Sequence, residues 1–507
     1  MKKLIIFTLA ITLLGANWSC KDALEIDPRQ SIASETALTS KDGISAALVS
    51  VYSRLKGVRV YGRDNIALPE ALADNGFATN KSGRLLNEYN NVPGAHFTAA
   101  FWQTAYAAIN QTNLILEAIP AATDPTISQA DRTSWEAQLY FLRALYHFDL
   151  VKAYAYMPGA EVAANNRGGI PILLKGTNTS DDALLLKPSR APIADVYAQI
   201  VSDLEAANSR FAGTTGLPNL ANKPATQALL SRVHLYSKNY AQSKRWADSA
   251  IATVGSRLTT SATYVANWRA ATHNETLFQV FFATNAENNG VNESLQTSFT
   301  TLNAPGGTVT TGFGDLVPTI SLLNGLGITL TGGNTNGVFI GGNASIASRS
   351  ADVRNLLYEV GTAGRGLSKV ECTKFIGKNG FPNLDNIPVV RVAELYLNRA
   401  EALATPGSSV ADQAAALVDL NRIVTNRGLP AFVGLTGTAL YEEILNQRRL
   451  ELAFEGHRFW DIKRLGRDIN KAPNTANPVP FFDTRILAPL PQREIDGNKN
   501  LVQNPGY

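Results

Sequence analysis

Residues 225–254 read ATQALLSRVHLYSKNYAQSKRWADSAIATV, and this stretch decides the fold. Two helical periods, 225–237 and 240–254, are separated only by Lys238 and Asn239, so the chain must double back at once. Ala241, Ala247 and Ala250 are small enough to let the two helices approach closely. The same design recurs on both sides. Leu139, Leu142, Tyr146, Leu150 and Tyr154 fall at steps of three or four, giving one apolar stripe. Val196, Ile200, Leu204 and Ala207 repeat those steps after Pro192, which suits a helix start. A third pair spans 391–404 and 411–425, and further helices are expected at 41–55, 99–118 and 440–455.

Helices joined by tight turns, with small residues between them and about 34 residues per unit, resemble tetratricopeptide repeats. The pairs are unevenly spaced, so the array is degenerate. One stretch departs from the pattern: residues 286–345 hold 12 Gly, 10 Thr and 8 Asn, half of the segment. Such composition opposes helices and favours turns and irregular strands. Residues 57–97 form a second loop-rich region. The expected fold class is therefore mainly α, a tetratricopeptide-like helical-pair scaffold with a loop-rich, partly irregular half that binds ligand.

Of 507 residues, 45% are hydrophobic and 8% aromatic, which excludes a disordered chain. Lys2-Lys3 followed by the apolar run 4–16 reads as an export signal, too short to span a bilayer. Removing those two lysines takes the net charge from +4 to +2, with no basic block, so no nucleic-acid partner is expected. Cys20 follows Asn17-Trp18-Ser19, and a cysteine just past a signal segment resembles a bacterial lipid-attachment site. The alternative for Cys20 is a disulfide with Cys372, the only other cysteine. Otherwise Cys372 is a lone buried thiol.

Catalytic motifs are missing. The five histidines (His96, His147, His234, His273, His457) are scattered and read as core or surface residues rather than metal ligands. Gly325-Leu326-Gly327 lacks the third glycine of a dinucleotide loop, and Asp496, Asn498 and Asn500 lack the glycine and final glutamate of a calcium loop. No cofactor or metal is expected. Glu451 and Glu455 lie one helical turn apart, but Arg448, Arg449, Arg458 and Lys463 nearby would keep both ionised, which suits ion pairs better than acid catalysis. Gly456 is expected to end that helix in a left-handed cap, with Trp460 buried in a structural clasp.

The segment RRLELAFEGHRFWDIKR (448–464) closely resembles the C-terminal signature of the SusD/RagB family. RVAELYLNRAE (391–401), RALYHFDL (143–150), the terminal NPGY (504–507) and the spacing Trp102, Tyr106, Ile109, Asn113 fit the same family, in order. The resemblance implies a surface-exposed, lipid-anchored lipoprotein of a Gram-negative outer membrane. It would hold a nutrient, glycan or peptide, as the lid of a SusC-like TonB-dependent transporter. Lys21-Asp22, with Glu25 and Asp27, resembles the charged signal that sends such lipoproteins to the surface. The organisation expected is a signal peptide (1–19), a lipid anchor and arm (20–40), a helical scaffold carrying a ligand loop (41–255, loop 57–98), a loop-rich insertion (256–390) and a C-terminal helical pair and clasp (391–507).

The resemblance carries no ligand residues, so candidates come from the loops: Asp74, Asn75, Arg84, Asn87, Tyr89 and Phe97 in the first, and Asn285, Asn288, Asn289, Phe299 and Phe313 in the second. Aromatic faces can cover the C–H side of a sugar ring while Asn, Asp and Arg pair its hydroxyls. The competing functions are peptide capture, an exported glycosidase, and a repeat scaffold that binds only proteins.

Overall fold

The computed structural model describes residues 38–213, 216–304, 312–331, 343–363, 366–471 and 478–507. The signal segment, Cys20 and the Lys21-Asp22 pair lie outside the described residues. Ser40 opens α1 (Lys41–Arg54) by accepting the Gly43 N–H at 3.1 Å. After α2 (Asp64–Leu72) and α3 (Ala99–Ala118) comes α4 (Gln129–Tyr154), which begins with a Ser128–Asp131 capping box. It packs against α5 (Ile193–Arg210), the first helical pair. The second pair is α6 (Lys223–Tyr236) and α7 (Tyr240–Val254), capped by Asn222 and Asn239, and Lys238 takes a left-handed φ of 57° in the turn between them. Ala225, Ala247 and Ala250 are fully buried, and Ser231 and Ser243 meet at 3.4 Å, as small facing residues allow.

The short helix α8 (Tyr264–Arg269) precedes the third pair, α9 (Val392–Leu403) and α10 (Val410–Thr425). α7 packs on α9, and α11 (Gly437–Glu451) closes the stack over α9 and α10. The short helix α12 (Arg458–Arg464) returns to α2. The mainly helical scaffold expected from the sequence is thus the observed one, and no helix among the described residues is long and apolar enough to cross a membrane.

Eight short strands carry the irregular half: β1 (Gly76–Ala78), β2 (Thr276–Val280), β3 (Leu316–Pro318), β4 (Ile328–Leu330), β5 (Ile346–Arg349), β6 (Tyr358–Val360), β7 (Val370–Cys372) and β8 (Ile387–Arg391). They form four antiparallel pairs, β1–β3, β2–β8, β4–β5 and β6–β7. The pair β1–β3 ties the two loop regions together.

Helix α11 ends at Glu451 rather than 455, and Gly456 is not its cap. Lys374 donates to the carbonyls of Glu451 (3.2 Å) and Ala453 (2.8 Å), and Arg391 donates to that of Glu451 (2.8 Å), so side chains satisfy the helix end early. Phe454 turns left-handed there (φ 62°) and packs edge-on against Phe299. Gly456 is needed for another reason: a Cβ on it would fall 2.4 Å from the Asn65 carbonyl oxygen. Trp460 is buried as expected, its ring 5.5 Å from Phe97 and 5.1 Å from Phe459. Trp460→Ala should therefore cost about 3–5 kcal/mol in urea unfolding without changing ligand affinity. Lost affinity at unchanged stability would place the clasp in the binding site instead.

Candidate functional site

The two loop segments expected to carry the site, 57–98 and 283–345, meet through β1 and β3. Phe77 of β1 pairs with Val317 of β3, and the Thr79 hydroxyl donates to the Gly314 carbonyl at 2.8 Å. Beyond the strands, the Ser82 hydroxyl donates to Asp315 at 2.6 Å. Arg84 reaches Asn292 at 3.1 Å, approaches Asp315 at 3.7 Å and lays its guanidinium 4.9 Å from the centre of the Phe313 ring. On the far side of the same joint, Lys56 pairs with Glu287 at 2.7 Å and Arg63 pairs with Glu293. Asn289 donates to the Lys56 carbonyl at 3.1 Å. Irregular backbone from two distant parts of the chain is thereby fixed to a rigid helical frame.

Beneath this joint lies Glu371 on β7, whose carboxylate accepts from the Thr301 N–H (2.6 Å), the Thr301 hydroxyl (2.8 Å) and the Thr300 hydroxyl (3.1 Å). Lys81 stands 3.4 Å away. Burial nonetheless raises the Glu371 pKa above the usual carboxylate range, more than these donors and Lys81 can offset.

The candidates separate into two groups. Arg84, Asn285, Asn288 and Asn289 are exposed or half-buried at the joint and Asn87 is exposed on the first loop, while Phe313 is buried beneath Arg84. Tyr89, Phe97 and Phe299 are core residues and offer no face to a ligand. Phe97 packs on Phe101 and Trp460, Phe299 on Phe454 and Phe375, and Tyr89 on Phe77. In an irregular segment, aromatic residues are as apt to anchor the loop as to decorate it.

Asp74 and Asn75 are also occupied. Asp74 takes both Arg458 contacts (2.6 and 2.8 Å), and Asn75 donates to Glu70 at 3.0 Å while accepting from Arg449 at 2.8 Å. Burial alone would raise Asp74, but Arg458 and Arg449 overcome it and hold the carboxyl at about 2. Both residues pin the first loop to the clasp.

Lys81, Ser82, Asn292, Asp315 and Glu371 also stand at the joint, and the loop sequences do not single them out. Only the alternation Lys369-Val370-Glu371-Cys372 signals that a strand brings charge here.

The one carboxylate pair considered for a glycosidase, Glu451 and Glu455, is locked elsewhere. Glu451 accepts from Arg427 (2.9 and 2.8 Å) and Arg391 (2.7 Å), and Glu455 from Arg391 (2.7 and 3.0 Å) and Lys374 (2.6 Å). Burial would raise Glu451, yet Arg427 and Arg391 hold it well below the carboxylate range, and none of Arg448, Arg449, Arg458 and Lys463 takes part. Cys372 is buried and its thiol is pushed up to about 12 by desolvation, an inert group. Among the described residues, no group of three or more His, Cys, Asp or Glu could hold a metal ion.

Comparison with known proteins agrees with this architecture. Residues 364–507 match the family model described as "SusD family", and residues 24–235 match one described as "Starch-binding associating with outer membrane". A SusD-like protein of Formosa agariphila is 26% identical, the alignment covering 100% of this chain and 99% of that one. The starch-binding protein SusD of Bacteroides thetaiotaomicron is 29% identical over 136 residues, 25% of this chain and 22% of that protein. Among solved structures, a putative sugar binding protein from Bacteroides vulgatus superposes with a TM-score of 0.76 at 26% identity, covering 93% of this chain and 100% of its own. A SusD superfamily protein from Bacteroides thetaiotaomicron gives 0.77 at 26% identity, covering 92% and 99%. With the signature segments at 143–150, 391–401 and 448–464 placed in one helical frame, the chain belongs to the SusD/RagB family.

Proposed function

We propose that this protein is a non-catalytic, surface-exposed binding lipoprotein that captures a glycan, an oligosaccharide or polysaccharide, and delivers it to a SusC-like TonB-dependent transporter in the outer membrane. The observation that carries this reading is the joint between the two loop segments, where Arg84 donates to Asn292 across the loops, Asn288 pairs with Asn285, and Asn87 stands exposed on the first loop. Amide and guanidinium groups suit hydroxyl-rich ligands. The starch-binding description of the matched family and the sugar-binding description of a solved relative favour glycan over peptide. Capture is favoured over hydrolysis because Glu451 and Glu455 are both engaged in buried ion pairs with Arg391. An open polar site suits modest affinity, about 10 µM to 1 mM, since a ligand held tightly resists being handed on.

Incubation with a glycan panel tests the reading. Retained glycan of unchanged chain length is the expected result. Release of reducing ends would make the protein a glycosidase. Retention of peptides alone would make it a peptide carrier, and indifference to every small ligand would leave a protein scaffold.

Anchoring is assigned to Cys20, whose lipidation would supply membrane affinity. Cys20→Ser should move the exported chain from the membrane fraction to the soluble one. A variant that stays membrane-bound after a high-salt wash would point to tight partner binding instead.

A further inference from the structure

Trp102 and Tyr106 stand one turn apart on α3, so their side chains are neighbours on the helix surface. Their ring centroids are 4.7 Å apart with the planes at 50°, and both line a cleft of about 220 Å³. Leu173, Leu186, Pro188 and Leu501 wall it. Those walls are fixed before any ligand arrives. The Tyr106 hydroxyl donates to the Pro171 carbonyl at 2.9 Å. Asn498 donates to the Pro188 carbonyl and Asn500 to that of Lys187, each at 2.7 Å. The segment 171–188 is thereby tied to α3 at one point and to residues 498–500 at another.

The polar groups in this cleft lack partners. Trp102 is 4% exposed, yet its indole N–H has no acceptor among the described residues. Gln103, half-buried beside it on α3, leaves its side-chain amide unpaired among those residues as well. Glu494 is also half-buried and faces Arg493 at 3.5 Å, which leaves its carboxylate room for further donors.

An apolar occupant would leave the indole N–H and the amide desolvated and unpaired, which is unfavourable for each. A cationic one would meet a carboxylate that already has Arg493 beside it. A hydroxyl-rich ring meets both demands: its C–H face covers Trp102 and Tyr106, while its hydroxyls accept from the indole and the amide and donate to Glu494. The cleft is smaller than the range of about 300–1,000 Å³ that holds drug-sized ligands, so it has room for one ring rather than a chain of them.

We propose that this cleft is a second carbohydrate site, built for a single pyranose ring such as a glycan end or side branch. It shares no residue with the joint between the loops and does not depend on that joint binding anything.

Titration of the isotope-labelled mature chain with the methyl pyranosides of glucose, galactose, mannose, xylose and N-acetylglucosamine, each to about 20 mM, tests the proposal. The indole N–H resonances are the readout, and Trp102→Phe identifies the Trp102 signal by removing it. At least one glycoside should shift that signal, and Gln103→Ala or Glu494→Gln should weaken the titration about threefold to tenfold. N-acetyl-leucinamide should shift it less than the best glycoside does.

A Trp102 signal unmoved by every glycoside overturns the proposal. So does a shift that Gln103→Ala and Glu494→Gln both leave unaltered. An equal or larger shift from N-acetyl-leucinamide would make the cleft a pocket for a peptide side chain and overturn the sugar class. If Trp102→Phe fails to fold, calorimetry decides with the other two variants: glycoside binding weakened by either supports the proposal, and binding unchanged in both overturns it. Glycoside binding that leaves Trp102 unmoved would place the sugar elsewhere, overturning the cleft while glycan capture at the loops still stands.

Discussion

Lowering the pH from about 7 to about 5 should destabilise this protein by about 4–6 kcal/mol, a large share of a typical domain's stability. All five histidines are buried, and each has its pKa depressed, chiefly by desolvation: to about 3 for His147 and His273, about 4 for His234, and well below 6.5 for His96 and His457. Their surroundings explain it. His96 lies against Phe97 and Phe459, His273 lies against Trp268, and His457 is ringed by Arg232, Arg448 and Lys152.

A group with a depressed folded pKa contributes stability that is present above its unfolded value, near 6.5, and is lost as pH falls through the folded one. The unfolded chain therefore takes up protons that the folded chain refuses. Raised carboxyls oppose this. Burial lifts Glu70 to about 7 and also raises Asp203, Asp419 and Glu371, so these groups contribute stability at low pH that is lost as pH rises. Five histidines outweigh them, leaving a net uptake of roughly two to four protons on unfolding between pH 5 and 6. Urea titrations at several pH values measure that number from the slope of unfolding free energy. A stability that is flat or rising on acidification would show that these histidines accept protons in place.

Arg391→Ala should be the most damaging single substitution, costing roughly 5 kcal/mol or more. Its guanidinium donates to Glu455 at 2.7 and 3.0 Å, to Glu451 at 2.7 Å, to Glu275 at 3.1 Å and to the Glu451 carbonyl at 2.8 Å. Every one of these groups is buried. Arg427 and Arg354 touch Glu451 from other directions, and Lys374 touches Glu455, so charges balance only while all members are present. Removing Arg391 strands carboxylates in a dry interior, where the cost exceeds what the intact pair ever contributed. Arg391→Lys keeps the charge but loses the planar fork and should recover about half of the loss. A midpoint in urea unchanged by Arg391→Ala would mean that water reaches the network and screens it.

The helical scaffold is legible in the sequence because its determinants are local. The stripe Leu139 to Tyr154, the caps at Asn222 and Asn239 and the alanines of α7 act within a few residues of one another, and each points to the same pairing. That Glu451 sits in ion pairs is legible too, but not with the cations beside it in sequence, since Arg448, Arg449, Arg458 and Lys463 all turn to other partners. Its actual partners are not legible: Arg391 is 60 residues away in sequence, and Glu275 reaches the network from just before β2, the strand paired with Arg391's own. The early end of α11 at Glu451 depends on those same distant donors, which no local cap signal reveals.

In the loops the sequence by itself determined composition, and with it the place where irregular backbone gathers. Which side chains face outward was decided by tertiary structure alone. Tyr89, Phe97 and Phe299 are as plausible for ligand as Arg84 until the core claims them, because a loop has no period to separate an inner face from an outer one. The pairing β1–β3 joins segments more than two hundred residues apart and brings Arg84 to Asp315, while packing of β3 on β7 places Glu371 near Lys81. A helix writes its contacts into its own repeat. A site built from two loops exists only where the folded frame holds them side by side.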